Sequence, residues 1–564
     1  MRAVCIAVFI VGLTSCRMPG EKQDFAKLTD DFVYGSLALS PVSATSAGYH
    51  DHRGESLDEK LDDYSRSGIM EQRRFYFDFR NRLEAIKPES LSAEDRADYD
   101  VMQDQIGLQL FDFTSNVQSF RHNPTIYVEL IGNALFNPFV LEYAPKPKRF
   151  GHIVKRLQRV PILIEQAKDN LRNAPEVWVH VAEQENNGNI ELIDHTLRAA
   201  APAEIKGDYD KAAGAALDAL RKFNYFLKTD LSQRTMSWRL GKEKYDQKFR
   251  YFLDAGKTPE QVLSEAETEL KSVTSQMAKL ADPKTIPQAL DAIARQHPTP
   301  GNYFAEARRT LQQATDFVRS KGLLTLPARA NLQVIETPEF MRGIYAVGGF
   351  NAAPALEPQL GAFYWITPIP GNWPKERVES KLREYNTYGL QELTIHEAMP
   401  GHYVQLEYAN DVQPKGRRLL RNIYGNGPYV EGWAVYVQQL LSDEGYLNGS
   451  VELRMTFLKQ MLRVISNAIL DIKLQTQEMT EQQALDLMIN QAFQEKEEAT
   501  AKIQRAQLSS CQLPMYFAGW HGWLQVRDQY KQRRGSGFKL SEFHERALKE
   551  SAVPLPVLSR LLAK

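Results

Sequence analysis

The sequence predicts a mostly α-helical protein of the α+β class, with a small β-sheet set among the helices. Two short stretches, 332–335 and 362–369, alternate or cluster β-branched and aromatic residues, which is typical of strands. Two glycines at 348 and 349 lie between them and are expected to break the chain there. Longer stretches place apolar residues at three- and four-residue intervals, as amphipathic helices do: 91–110, 150–171 and 209–227.

The composition is that of a folded chain with a large core. Of the 564 residues, 43% are hydrophobic and 25% are charged, and no low-complexity tract interrupts them. The 69 Lys and Arg residues nearly balance the 70 Asp and Glu residues, and no long run carries one sign of charge. This balance argues against nucleic acid as a partner, since a nucleic-acid-binding surface needs a basic patch.

The first residues form a separate element. Arg2 precedes an apolar run that ends at Leu13-Thr14-Ser15-Cys16, a pattern typical of a signal peptide over 1–15 and too short to span a bilayer. The small residues before Cys16 resemble the bacterial lipobox, which implies a lipid on Cys16 and a polar tether over 16–24. We therefore expect a bacterial envelope lipoprotein that faces the periplasm; a plain secretory signal with an incidental cysteine is the alternative.

After the tether we expect the chain to divide into an N-terminal helical region, 25–250, and a C-terminal region, 251–564, which contains the motifs described below. We expect the cleft between these regions to hold the functional site. Four prolines make 281–302 a loop-rich junction around a short helix. Apolar neighbours favour a buried, inert thiol at Cys511 over a catalytic one. The sequence does not indicate an oligomeric state.

The central motif reads His396-Glu397-Ala398-Met399-Pro400-Gly401-His402, on a helix expected to begin near Thr387 as its N-cap. A zinc peptidase needs two imidazoles and usually one carboxylate on the metal, and a free carboxylate to accept a proton from water. The usual spacing is H-E-x-x-H, which places both histidines on one helical face. Here the second histidine comes six residues after the first, or about 600° further round an unbroken helix.

The residues inside this spacing are those best suited to correct it. Pro400 disrupts helical hydrogen bonding, and Gly401 takes backbone conformations that other residues avoid. A tight turn at these two residues returns His402 to the side of His396. The alternative is coincidence, in which His396 is a core histidine and His402 a surface one.

A second acidic residue follows 29 positions after His402. Pro428 precedes apolar residues at helical spacing, so we expect an amphipathic helix with Glu431 in its first turn. The gap leaves room for a loop and for this helix to return across the motif.

The two motifs resemble a large bacterial family of exported and cytosolic proteins, domain of unknown function 885. Its hallmark is H-E-A-x-P-G-H followed by E-G-W-A-x-Y, matched here by 396–402 and 431–436. Further matches are the segment 41–52 and a C-terminal R-x6-Q-x3-Y-x2-G element, formed by Arg505, Gln512, Tyr516 and Gly519. The resemblance covers nearly all of the mature chain.

The resemblance implies a helical, zincin-like metallopeptidase architecture with a small sheet beside the active-site helix. In the arrangement of its expected metal ligands, the family is similar to gluzincin peptidases such as the carboxypeptidase Taq group. Zn ligands would be His396, His402 and Glu431, with Glu397 as general base. Tyr516 would stabilise an oxyanion, and Arg505 would hold a substrate carboxylate or order Tyr516; a buried tyrosine and an ion-paired arginine are the alternative. The expected substrate is a peptide, aligned along the strand at 362–369.

Three departures from the family pattern bear on substrate choice more than on metal binding: Ser510, the segment after Asp471, and Gln438, where the family often has an acidic residue. Two other functions stay open. One is a lipid-anchored binding or scaffold protein with a structural or vestigial zinc site. The other is a zinc hydrolase that cleaves a different amide or an ester. A second metal site at His50 and His52 is less favoured than packing of their loop.

Overall fold

The computed structural model of the protein describes residues 24–114, 117–337, 342, 348–477 and 479–563. The predicted signal peptide, Cys16 and all but the last residue of the tether lie outside these residues. The protein is mostly α, with 72% helix and 4% strand, so the coarse fold class is confirmed. No helix within the described ranges is long and apolar enough to cross a membrane.

Two principal hydrophobic clusters organise the helices. The first combines helices near the start of the chain with most of the chain after residue 240. The second is formed by residues between Tyr127 and Leu231. The position predicted for a regional boundary, residue 250, falls inside the helix Lys242–Leu253, whose buried Tyr245, Phe249 and Leu253 belong to the first cluster.

Helices up to residue 253 confirm the predicted periodic stretches. The helices found there, Ala93–Thr114, Lys146–Asn170 and Lys206–Thr229, are 22 to 25 residues long, and their ends differ from the predicted ends by a few positions. The helices in this part of the chain are Phe25–Leu39, Pro41–Ser46, Arg66–Glu84, Ala93–Thr114, Ser119–His122, Thr125–Val140, Lys146–Asn170, Glu176–Glu191, Arg198–Ala200, Lys206–Thr229 and Lys242–Leu253.

Later helices surround the motif and include the short helix predicted in the proline-rich junction. The long helix Val451–Thr476 packs against Pro259–Ala281 and Pro514–Arg534. The helices after residue 253 are Pro259–Ala281, Ile286–Ala294, Tyr303–Lys321, Lys375–Glu384, Thr387–Glu397, His402–Ala409, Lys415–Ile423, Gly427–Asp443, Tyr446–Gly449, Val451–Thr476, Glu481–Asp486, Lys496–Leu508, Pro514–Arg534, Leu540–Lys549 and Leu555–Leu561.

A three-stranded sheet lies beside the motif helix. Its central strand, Ala362–Ile366, pairs in parallel with Leu332–Glu336 and antiparallel with Gly348–Asn351. The predicted chain break at 348–349 is wrong, because both glycines pair through their backbones with Ile366 and Trp365. The predicted alignment of a peptide along 362–369 is also wrong, since the central strand has no free edge. Outside this sheet, Asp51–His52 and Glu55–Ser56 form a short antiparallel pair.

Candidate metal centre

The motif helix spans Thr387–Glu397 and is held by a cap at its N-terminus and by a contact with the sheet in its interior. Asn386, not Thr387, is its N-cap, and its side chain accepts hydrogen bonds from the Tyr388 and Gly389 amides. In the helix interior, the buried Thr394 hydroxyl contacts the Tyr364 hydroxyl of the central strand at 3.1 Å. The sheet therefore fixes the depth of the helix that carries His396 and Glu397.

The helix ends at Glu397, and a new one begins at His402. The Met399–Pro400 bond is cis, and Gly401 lies so close to the preceding turn that a Cβ atom there would be 1.8 Å from the His396 carbonyl oxygen. Trp433 donates its indole N–H to the Pro400 carbonyl at 2.9 Å. The predicted tight turn is thus present and returns His402 to the side of His396, with imidazole centroids 4.8 Å apart.

Glu431 reaches the two imidazoles from the helix Gly427–Asp443. This helix begins earlier than predicted, because the Asn426 side chain caps it, so Glu431 lies just beyond the first turn. A carboxylate oxygen of Glu431 is 3.5 Å from Nε2 of His396 and 3.5 Å from Nε2 of His402. The side chains are largely buried, with 18%, 12% and 20% exposed for His396, His402 and Glu431. In the described part of the chain, this is the one cluster of three or more His, Cys, Asp or Glu side chains with metal-like spacing.

The charges in the cluster support one another. Burial lowers the pKa of His396, but the Glu431 and Glu397 carboxylates outweigh it and raise that pKa to about 9. Burial raises the pKa of Glu431, yet both imidazoles outweigh it and hold that pKa well below its usual range. The cluster therefore attracts a cation, whether a proton or a metal ion.

Tyr516 lies over the same site from the helix Pro514–Arg534. Its ring is nearly parallel to the His396 imidazole, with centroids 6.5 Å apart. Burial and the Glu431 and Glu397 carboxylates raise the pKa of Tyr516 well above its usual value, against an opposing effect of Arg505. Tyr516 is consequently a neutral hydroxyl donor at neutral pH. Arg505 also donates from Nε to the Gln512 side chain at 3.1 Å.

A pair of glycines brings the Glu431 and Tyr516 helices into contact. A Cβ atom on Gly432 would be 2.3 Å from the Gly519 carbonyl carbon, and one on Gly519 would be 2.1 Å from the Pro428 carbonyl oxygen. This close backbone packing holds the helix that carries Tyr516 against the helix that carries Glu431. Gly432 belongs to the E-G-W-A pattern and Gly519 to the R-x6-Q-x3-Y-x2-G pattern, so these two motif glycines are the ones that let the helices pack closely.

Sequence reasoning missed the residues that support His396. His396 Nδ1 lies 3.2 Å from the Gln438 side-chain oxygen, and the Gln438 amide donates to the buried Glu392 carboxylate at 2.8 Å. Burial raises the pKa of Glu392 to about 8. The sequence singled out Gln438 only as a departure from the family pattern.

The remaining predicted residues lie away from the centre. His50 contacts Asp58 at 2.9 Å and Glu357 at 3.2 Å, while His52 contacts the Tyr49 hydroxyl at 2.8 Å, so both histidines have protein partners. Cys511 is a buried free thiol whose pKa burial raises well above its usual value, as expected of an inert cysteine.

The fold and the site together define a class: a mostly helical protein with a buried cluster of two histidines and one glutamate between its helices. The chain belongs to the family described as "Bacterial protein of unknown function (DUF885)", whose model matches residues 41–562. The resemblance to that family is therefore confirmed. No curated protein matches the chain.

Two solved structures share the fold over nearly the whole chain. One, titled "a putative lipoprotein of unknown function from Shewanella oneidensis", is 29% identical with a TM-score of 0.80, and the match covers 96% of this chain and 100% of that chain. The other, "the putative lipoprotein from Colwellia psychrerythraea", is 19% identical with a TM-score of 0.79, covering 96% and 98%. The second likeness shows the fold alone.

Proposed function

We propose that this chain is a zinc-dependent hydrolase of the metallopeptidase type, with peptides as substrates. The observation that carries the proposal is the convergence of His396, His402 and Glu431 on one point, with Glu397 beside them but outside the set of three. A purely structural zinc site is closed by four protein ligands and has no use for an adjacent free carboxylate.

Two of the three separations between donor atoms fit a tetrahedral zinc ion, and all three donor atoms lie within 4.8 Å of one another. Ligands about 2.1 Å from zinc are about 3.4 Å from one another, and the Nε2-to-carboxylate distances of 3.5 Å match this separation. In the described structure the buried Glu431 oxygen makes no hydrogen bond of ordinary geometry. An oxygen placed between two imidazoles without such a bond is suited to a metal ion. A zinc ion bound here would lower the pKa of a coordinated water to about 7 and polarise a substrate carbonyl.

Glu397 and Tyr516 supply the remaining chemistry. Glu397 directly follows a ligand in sequence, and its charge acts on both His396 and Tyr516. It accepts the proton of the attacking water and passes it to the leaving amine. Tyr516 keeps its proton and donates a hydrogen bond to the oxyanion that develops on the substrate carbonyl. Arg505 orients the Tyr516 hydroxyl.

A test of this assignment compares wild type with Glu397→Gln, which keeps the side-chain shape but removes the proton acceptor. Zinc content and melting temperature should be unchanged, while hydrolysis of a peptide library should fall by roughly two to four orders of magnitude. The matched control is Glu444→Gln at the end of the Glu431 helix, which should leave all three measurements unchanged.

Two results would contradict the proposal. Undiminished hydrolysis by Glu397→Gln removes Glu397 from the mechanism. A zinc-loaded wild type that cleaves no peptide favours either a scaffold with a structural or vestigial zinc site, or a hydrolase for another amide or an ester. A panel of ester and non-peptide amide substrates then separates these two functions.

The protein is also proposed to be a lipoprotein held in the bacterial envelope through Cys16, facing the periplasm. The lipobox-like residues before Cys16 support this, as does the description of the 29%-identical structure as "a putative lipoprotein". Mass spectrometry of the membrane fraction should show acylated Cys16 in wild type and none in Cys16→Ser, which should keep its signal peptide. Equal mature masses for the two proteins would overturn the anchor.

A further inference from the structure

The segment 41–52, one of the matches to the family pattern, takes no part in the proposed mechanism, yet it joins two parts of the protein. On one side, the fully buried Arg156 donates to the Thr45 hydroxyl at 2.6 Å, and Arg156 belongs to a helix of the second hydrophobic cluster. On the other side, the Leu356 amide donates to the Ala47 carbonyl at 3.0 Å. The segment therefore lies between the second cluster and the chain that leads into the three-stranded sheet.

The connection 352–361 links two strands of that sheet. It follows the strand Gly348–Asn351 and ends at the central strand Ala362–Ile366. The central strand in turn supports the motif helix, because the Tyr364 hydroxyl contacts the Thr394 hydroxyl at 3.1 Å. A contact that holds the connection therefore also restrains the sheet on which the motif helix rests.

His50 forms a polar contact between the segment and this connection. Its Nδ1 lies 2.9 Å from an Asp58 carboxylate oxygen, and its Nε2 lies 3.2 Å from a Glu357 carboxylate oxygen. An ionised carboxylate accepts hydrogen bonds and does not donate them, whereas a neutral imidazole has a single N–H. Only the imidazolium form of His50 therefore satisfies both contacts at once. The Tyr143 ring stacks on His50 with centroids 4.3 Å apart, a position that also favours a cation.

Asp58 is the buried end of this contact and has further partners. Its carboxylate accepts from the Thr45 hydroxyl at 2.7 Å, and its second oxygen lies 3.5 Å from His152 Nδ1. Burial lowers the pKa of His152 against the effect of Asp58, so near neutral pH this imidazole is uncharged. The Asp58 side chain is 3% exposed and that of Glu357 is 20% exposed. When His50 loses a proton, the contact with the more exposed Glu357 is therefore the one that breaks.

We propose that His50 is a proton-controlled latch: the imidazolium ties Glu357 to Asp58 and holds the connection 352–361, and loss of its proton loosens that connection. Burial lowers the pKa of His50, but the Asp58 and Glu357 carboxylates outweigh it and raise that pKa above 6.5. The latch is therefore closed below about pH 6.5 and opens as the pH rises through the raised value. Tyr143 stays protonated throughout, because burial raises its pKa well above its usual value. The latch goes beyond the proposed hydrolysis and does not depend on it.

Hydrogen–deuterium exchange of the purified protein measures the latch through the Leu356 amide, which is bonded to the Ala47 carbonyl. After correction for intrinsic exchange rates, protection of 352–361 in wild type should fall about ten- to a hundredfold between about pH 6 and about pH 9, as expected for losing one charge-assisted hydrogen bond. Glu357→Gln should stay protected at both pH values, because its amide N–H donates to a neutral imidazole and its oxygen accepts from an imidazolium. Glu357→Ala should be poorly protected at both.

Glu379→Gln is the matched control, because Glu379 contacts another histidine, His297, at 3.3 Å. It should keep both the protection and the pH dependence of wild type. His396, with a pKa of about 9, also titrates in this interval in metal-free protein. The assignment therefore rests on the difference between wild type and Glu357→Gln, which share His396. Equal pH dependence in these two proteins, or wild-type protection that stays constant with pH, overturns the latch. Wild-type protection in Glu357→Ala overturns it as well.

Discussion

At the scale of single residues, the hydrogen bonds that hold His396 in place determine how well the proposed centre would hold a metal ion. The Gln438 side-chain oxygen lies next to His396 Nδ1. Because an amide oxygen accepts and does not donate, Nδ1 must carry the N–H that forms this hydrogen bond. This leaves the Nε2 lone pair toward Glu431 and the metal position. The buried Glu392 in turn fixes the Gln438 amide by accepting from it. A neutral amide thus does the orienting that a carboxylate often does beside a metal-bound histidine.

We expect Gln438→Ala to weaken zinc binding about ten- to a hundredfold, because His396 loses the partner that fixes its ring and its tautomer. Competition with a chromophoric zinc chelator measures the dissociation constant. Gln439→Ala is the control, because Gln439 is the neighbour of Gln438 on the same helix. Its side chain accepts a hydrogen bond from the Trp520 indole at 2.7 Å but does not contact a proposed ligand. Equal zinc affinity in wild type and Gln438→Ala would show that His396 needs no such support.

The sequence predicted the residues whose signal is local or belongs to a family motif. His396, Pro400, Gly401 and His402 lie within one short segment, so the turn that joins the histidines could be argued from residue chemistry alone. Gln438 lies 42 residues from His396 and acts only because two helices cross at that point. This crossing of two helices is not visible in a single sequence.

At the scale of elements, the turn between the motif helix and its successor carries most of the constraint. The Gly401 position leaves no space for a side chain because the His396 carbonyl occupies it. Trp433 adds a hydrogen bond to Pro400 from the Glu431 helix. The turn therefore ties all three proposed ligands to one backbone arrangement.

Gly401→Ala should open this turn, separate His402 from His396 and lower both melting temperature and zinc content. The destabilisation should exceed about 3 kcal/mol, since overpacking against backbone atoms cannot be relieved by a side-chain rotation. The control is Gly214→Ala in the exposed interior of Lys206–Thr229, where a Cβ atom has no neighbour within 4 Å. That variant should gain about 0.5–1 kcal/mol from helix propensity. Wild-type zinc content in Gly401→Ala would show that the turn is not what brings the histidines together.

Predictions of elements were correct where one pattern decides the structure. The amphipathic helices formed because each has one apolar face to bury, and their ends moved by only a few residues. The strand at Gly348–Asn351 was missed because its glycines contribute backbone hydrogen bonds and no side-chain pattern. The central position of Ala362–Ile366 also depends on pairing with segments distant in sequence, and alternation alone does not distinguish a central strand from an edge strand.

At the scale of the whole molecule, a buried histidine joins three distant parts of the chain. His544, on Leu540–Lys549, lies 2.8 Å from the Tyr436 hydroxyl and 2.8 Å from the Leu323 carbonyl oxygen. The carbonyl can only accept, so Nδ1 donates to it and Nε2 accepts from Tyr436. The neutral imidazole is fully satisfied in this arrangement. Burial lowers the pKa of His544 to about 4, and the charge of Arg527 contributes.

This buried histidine predicts acid destabilisation of the whole fold. The folded-state pKa of about 4 lies below the unfolded value of 6.5, so between these pH values the unfolded chain binds more protons and is favoured as pH falls. The contribution is complete above about pH 6.5 and is lost by about pH 4, amounting to roughly 3 kcal/mol. Urea unfolding of metal-free protein, with chelator present to remove the pH dependence of zinc binding, measures the free energy of unfolding between pH 7 and 4. His544→Gln offers a donor and an acceptor without titrating. The amount by which its free energy of unfolding falls below that of wild type should therefore shrink by roughly 3 kcal/mol as the pH falls from 7 to 4. A difference between the two proteins that stays constant from pH 7 to 4 would mean that His544 titrates alike in the folded and unfolded states.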